Sequence, residues 1–202
     1  MNNNIETRNT TTELRMIGTK LTGYAAKFNA LSVDFGGWRE RINPGAFKKT
    51  LAEGDVRAFW NHDDSRLPLG RQKSGTLHLE EDEIGLRFEV DLPETQDARD
   101  LIQSVNRGDV DGVSFGFRSR KDNWTEKGTI RTLLEVDLIE VSPVNFPAYP
   151  QTELALRSRE EFLKNEAEEE EEPQEVLSEE DQKKKVKKMR AERILKILEL
   201  KG

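Results

Sequence analysis

Most of the Val, Ile, Phe and Trp residues of this chain lie before residue 150, while the charges crowd into the segment after it. That division confines any hydrophobic core to the first 150 residues and leaves a polar appendage behind it. Hydrophobic content of 34% in a chain of 202 residues and a mean hydropathy of -0.79 are low for one compact domain, as expected if part of the chain does not pack. Read this way, residues 1–13 are a flexible lead-in and residues 14–155 are one β-rich α+β domain. Residues 156–177 are an acidic, unstructured linker broken by Pro173, and residues 178–202 are a basic amphipathic helix opened by Ser178.

Inside the domain the apolar spacing alternates between strand and helix periods. Tyr24 to Phe28 reads as a strand and Gly36-Gly37 as a turn. Asn43 and Pro44 predict the start of a short helix running to Leu51, which Gly54 would end. Strands follow at Val56–Asn61, Gly75–Glu80 and Gly85–Leu92; in the last, Leu86, Phe88, Val90 and Leu92 alternate with Arg87, Glu89 and Asp91. After Pro93, the residues Ala98, Leu101, Ile102 and Val105 recur at helical spacing, and Gly108 is a natural stop.

Val113, Phe115 and Phe117 then share one face of a strand, which turns Ser114, Gly116 and Arg118 to the other. The next apolar run, Ile130 to Val141, changes parity near Leu138, the mark of a β-bulge or of a strand covered on both faces. The prolines of Ser142 to Pro150 predict a non-strand loop, because proline lacks a ladder donor.

The composition excludes several functions. A net charge of -7 argues against a general nucleic-acid binder, which needs a basic face. The lack of cysteine removes disulfides, thiolate catalysis and cysteine-ligated zinc. No basic-then-apolar leader opens the chain and no apolar run approaches the ~20 residues of a membrane span, so a soluble, intracellular protein is expected.

Ser114 and the two histidines carry the chemistry. Ser114 lies between Gly112 and Gly116, which clear space around its hydroxyl; its plain alternative is an ordinary strand serine. The Gly-x-Ser-x-Gly spacing also matches a nucleophile elbow, but that motif needs strand then helix, and here the helix comes first. His78 alternates with Leu77 and Leu79 and reads as surface. His62 follows Phe59-Trp60-Asn61, whose rings can shelter an imidazole able to take a serine proton near neutral pH. The acceptor that would orient it is open among Glu140, Asp137, Glu135, Asp63 and Asp64. Glu140 stands out because it interrupts an apolar run, where a carboxylate is costly without a partner. A metal site on His62, Asp63 and Asp64 is disfavoured, because consecutive residues of a strand point to opposite faces.

Four blocks carry a resemblance. They are Arg39-Glu40-Arg41-Ile42-Asn43-Pro44-Gly45-Ala46-Phe47; Trp60-Asn61-His62-Asp63; Arg107 to Phe117; and Leu138-Ile139-Glu140-Val141-Ser142-Pro143-Val144 with Phe146-Pro147-Ala148. In this order the chain, over residues 14 to 155, resembles the prohead (procapsid) maturation proteases of tailed bacteriophages, a family similar to the herpesvirus assemblins.

The resemblance implies a compact β-barrel flanked by helices and a serine endopeptidase that needs no cofactor. It implies Ser114 as nucleophile, His62 as general base and Glu140 as orienting acid, with Asp137 the fallback. Assemblins use a second histidine in the third place, but no histidine follows Ser114 here. The implied substrate is the scaffolding segment of the major capsid protein, cut inside the assembling procapsid in the bacterial host cytoplasm. A homodimer or higher homo-oligomer is implied by analogy with assemblins. Oxyanion donors are sought in the Asn145–Tyr149 loop, and self-cleavage in the Arg157–Glu175 segment. The rival expectation is a non-catalytic scaffold or capsid assembly protein on the same fold.

Overall fold

The computed structural model describes residues 5–11, 14–145 and 153–171. Contacts divide the chain into two units, Met1–Lys164 and Asn165–Gly202. The elements of the first unit are β1 (Glu6–Thr11), β2 (Arg15–Ile17), β3 (Lys20–Lys27), β4 (Arg39–Ile42), α1 (Lys48–Glu53), β5 (Arg57–Ala58), β6 (Gly70–Arg71), β7 (Leu77–Glu81), β8 (Gly85–Asp91), α2 (Gln96–Arg107), β9 (Gly112–Trp124) and β10 (Ile130–Val144). A third helix, α3 (Glu153–Glu171), begins in this unit. Of the second unit the described residues, 165–171, are the last turns of that helix.

The strands make two sheets instead of the closed barrel that was expected. One runs β2-β3-β8-β7 and the other β1-β9-β10-β5-β6, with β4 also on β10. Between them lies one apolar core that includes Leu21, Phe47, Leu86, Phe88, Leu101, Phe115, Phe117 and Leu133. The inward parity of β8 and of Val113, Phe115 and Phe117 fills it as the alternation predicts. α2 caps its first turn with Thr95, whose side chain accepts from the Ala98 amide, and ends at Gly108 in the left-handed conformation at φ 80°. Its Ala98, Leu101 and Val105 are buried; a leucine so placed contributes ~1.5–3 kcal/mol.

Four sequence expectations are corrected. The lead-in is not free: Glu6–Thr11 forms β1, antiparallel to β9 from Gly112 to Phe117. Its charged residues can be buried there because each is paired. Glu6, Arg8, Glu40 and Arg131 are all buried, and Arg8 bonds Glu40 through Nε at 2.7 Å, while Arg131 Nη1 bonds Glu6 at 2.8 Å and Glu40 at 3.1 Å. Second, the helix after Pro44 starts at Lys48, because Glu81 accepts the Phe47 amide at 2.8 Å and residues 44–47 are used in turns.

Third, β10 runs through Pro143. The carbonyl of Pro143 still accepts from the Asn61 amide at 3.0 Å, so the proline costs the sheet only its missing donor. Fourth, residues 156–171 of the expected unstructured linker are helical. Within the first unit α3 is seated by a second apolar cluster, where Ala155 is buried with Phe35, Trp38 and Trp124. The Trp124 indole N–H also donates to Ser158 Oγ at 3.0 Å. Residues 172–202, which include the expected basic helix, lie outside the described residues. No helix among the described residues is long and apolar enough to cross a membrane.

Candidate active site

The parity break of β10 is a β-bulge, and it decides where Glu140 points. Leu138 pairs with Phe117 and Glu140 with Gly116, so Ile139 is the inserted residue. Uninterrupted pairing would set Glu140 against Phe115, on the core face. The bulge moves it to the face of Ser114, and Ser142 then falls directly opposite Ser114. Gly116 leaves the room: a Cβ there would lie 2.6 Å from Glu140 Oε1.

His62 arrives from the other flank of β10. The amides of Phe59 and Asn61 donate to the carbonyls of Val141 and Pro143, at 3.1 and 3.0 Å, continuing the parallel pairing of β5. Asn61 and His62 then both take positive φ, 55° and 61°. Non-glycine residues there are strained by ~1–3 kcal/mol each and persist only where surroundings hold them. Asn61 is held by its side chain, which accepts from the Asn145 amide at 2.9 Å. The His62 amide donates to Ser142 Oγ at 3.3 Å.

The turn brings the imidazole over Glu140. His62 Nδ1 lies 2.7 Å from Glu140 Oε1, and Ser142 Oγ donates to Glu140 Oε2 at 2.6 Å. An ionised carboxylate only accepts, so Nδ1 carries the proton and Nε2 is left as the basic nitrogen. The Glu140 side chain is 10% exposed, whereas that of His62 is 33% exposed. A buried carboxylate with hydrogen bonds to both oxygens orients an imidazole and can stabilise its protonated form.

Ser114 lies on the same face, 0% exposed, but its hydroxyl is not on the imidazole. It donates to the backbone carbonyl of Arg8 on β1 at 3.0 Å. The structure therefore joins His62 to Glu140, and sets Ser114 across β10 from His62 with its proton directed to the neighbouring strand.

Asp137, Glu135 and Asp63 are engaged elsewhere. Asp137 accepts from Arg120 Nε at 2.5 Å, and Glu135 from Lys49 at 3.3 Å. Asp63 accepts from Ser65 and Arg66, and the Ser65 hydroxyl leads in holding its carboxyl below the usual range. His78 is exposed on β7. Of the expected oxyanion loop, Asn145 spends its amide on Asn61, and residues 146–149 lie outside the described residues. Ser142 was missed by sequence reasoning, although Glu140-x-Ser142 places both on one parity and signals a shared face.

Comparison with known proteins gives the family. The sequence profile of the caudovirus prohead serine protease family matches residues 3–165. A prohead protease of Enterobacteria phage HK97 is 38% identical over 137 residues, which cover 66% of this chain and 57% of that protein. No solved structure matches. The match runs continuously through β9, the His62 turn and the bulged β10, and the chain therefore belongs to the caudovirus prohead serine protease family.

Proposed function

We propose that this protein is a serine endopeptidase of capsid maturation in which Ser114 attacks, His62 carries the proton and Glu140 orients His62. The observation that carries the reading is the 2.7 Å pairing of His62 Nδ1 with Glu140 on the sheet face that also bears Ser114. Ser114 first rotates its hydroxyl away from the Arg8 carbonyl. As Oγ attacks the substrate carbonyl carbon, its proton passes to His62 Nε2. The tetrahedral species collapses when His62 returns that proton to the leaving amine. Water, deprotonated by His62, then hydrolyses the acyl ester and restores the hydroxyl. Glu140 keeps the ring oriented and stabilises the imidazolium.

The proposed substrate is the scaffolding segment of the major capsid protein, cleaved inside the assembling procapsid within the host cell, with the protease also processing its own tail. An assemblin-like architecture and a homo-oligomeric working form belong to the same reading. Co-expression with the phage's major capsid protein tests it: wild type should process the capsid protein, while Ser114→Ala and His62→Ala should not. Equal processing by all three overturns the assignment. Mass spectrometry of the same samples reads the tail, and an uncleaved tail in wild type and Ser114→Ala alike removes self-processing.

A second reading, a non-catalytic assembly protein on this fold, is favoured by the burial of Ser114 and the commitment of its hydroxyl to Arg8. Its signature is normal shell assembly with Ser114→Ala and no cleavage product from wild type.

A further inference from the structure

Glu140 has two oxygens and a soft terminal torsion, so its single bond to His62 leaves the carboxylate plane free to turn. A second bond removes that freedom. Ser142 supplies it through its hydroxyl proton, 2.6 Å from Oε2. The same oxygen accepts the His62 main-chain amide at 3.3 Å, at a residue whose φ of 61° needs outside support. One side chain therefore grips the carboxylate and the backbone of the base together. Ser142 is 0% exposed and directly opposite Ser114. With its proton on Glu140 and its oxygen taken by His62, it is equipped to hold and not to attack.

We propose that Ser142 is a positioning residue of the proteolytic site, fixing the Nδ1–H tautomer and the orientation of His62 by holding Glu140 Oε2 and the His62 amide at once. The proposal rests on the reading of His62 and Glu140 as partners of Ser114. It differs from a packing role in what it demands: the hydroxyl itself is required, and its loss is felt at the imidazole.

The test uses the full chain carrying S142A, S142V or S142T; threonine and valine share a shape and differ by the hydroxyl. The first readout is the imidazole nitrogen and proton NMR spectrum, simple because the chain has two histidines and His78→Ala assigns the other. The second is the rate of capsid-protein processing on co-expression. S142A and S142V should shift neutral His62 away from the Nδ1–H form and slow processing ~10–100-fold, the scale of a misplaced catalytic group. S142T should restore both.

Processing by S142A and S142V at the wild-type rate overturns the proposal. So does slowed processing with unchanged His62 resonances, which would mark a merely structural serine, or S142T behaving like S142V in both readouts. Equal processing by wild type and Ser114→Ala would instead sink the protease reading, and the imidazole spectra would still decide whether Ser142 positions His62.

Discussion

Glu140 Oε1 occupies the space that a side chain on residue 116 would need: a Cβ added to Gly116 falls 2.6 Å from that oxygen and 3.2 Å from Glu140 Cγ. A long carboxylate tip usually yields to such a contact. This one is tied to His62 and Ser142 at 2.7 and 2.6 Å, so it can yield only by letting go.

Gly116→Ala should therefore cost activity more than stability. Processing of the capsid protein is expected to fall ~10²-fold, with a loss of ~1–3 kcal/mol for the overpacked position. Denaturant unfolding and the processing rate, measured on the same preparation, check this. A variant that unfolds while its residual folded fraction stays fully active contradicts it.

Glu140→Gln keeps the shape and removes the charge. The amide can offer His62 an N–H in place of an acceptor, which favours the wrong tautomer, and removes the stabilisation of the imidazolium. A loss of ~10³–10⁴-fold in cleavage rate is expected, as for other orienting carboxylates. Asp137→Asn, whose target accepts from Arg120, should stay within ~3-fold of wild type on the same scale. The ratio of the two rates is the measurement.

The network of Glu6, Arg8, Glu40 and Arg131 should be unforgiving of single changes. Removing one partner leaves a buried charge uncompensated, so Arg131→Met and Glu6→Gln are each expected to cost ~3–5 kcal/mol in urea unfolding. Replacing these four together with Asp122, which pairs with Arg131 Nε, by apolar side chains of similar volume should cost much less, since the desolvation penalty disappears with the charges.

The acid limb of stability should carry the mark of Glu6. Burial by itself raises its carboxyl, but Arg131 and then Arg8 outweigh burial and hold it below its ordinary value of 4.5. Between the folded and unfolded values the unfolded chain binds more protons. The contribution is therefore complete above the ordinary carboxyl range and is lost as pH falls through the lower, folded value. In Glu6→Gln the fall in stability on acidification should be shallower, so that the two unfolding curves converge at low pH. Parallel curves would show that Glu6 is not the titrating group.

Much of this protein is determined by its sequence alone. Period-two spacing at Leu86 to Leu92 and at Val113 to Phe117 sets strands and their inner faces. The Ala98-Leu101-Val105 stripe and Gly108 set the inner face and the end of α2, and the parity break near Leu138 announces the bulge. These are local signals, carried by backbone sterics and by the periods of helix and strand. They bring Ser114 and His62 forward and leave the acid open among several carboxylates, of which the family resemblance implies Glu140.

The tertiary structure decided what depends on partners distant in the chain. Nothing local makes Glu6–Thr11 a strand; Glu40 and Arg131, far along the chain, supply the charges that make burying Glu6 and Arg8 tolerable. Local pattern likewise reads Pro143 as a strand breaker, until the Asn61 amide finds its carbonyl. Ser142 is one more small polar residue in the sequence, and only the fold shows that it touches both His62 and Glu140. The direction of the Ser114 proton, toward Arg8, also belongs to the fold. Hydrogen bonds and ion pairs across tens of residues form only when separate strands are brought side by side, and no short window of sequence contains both ends of them.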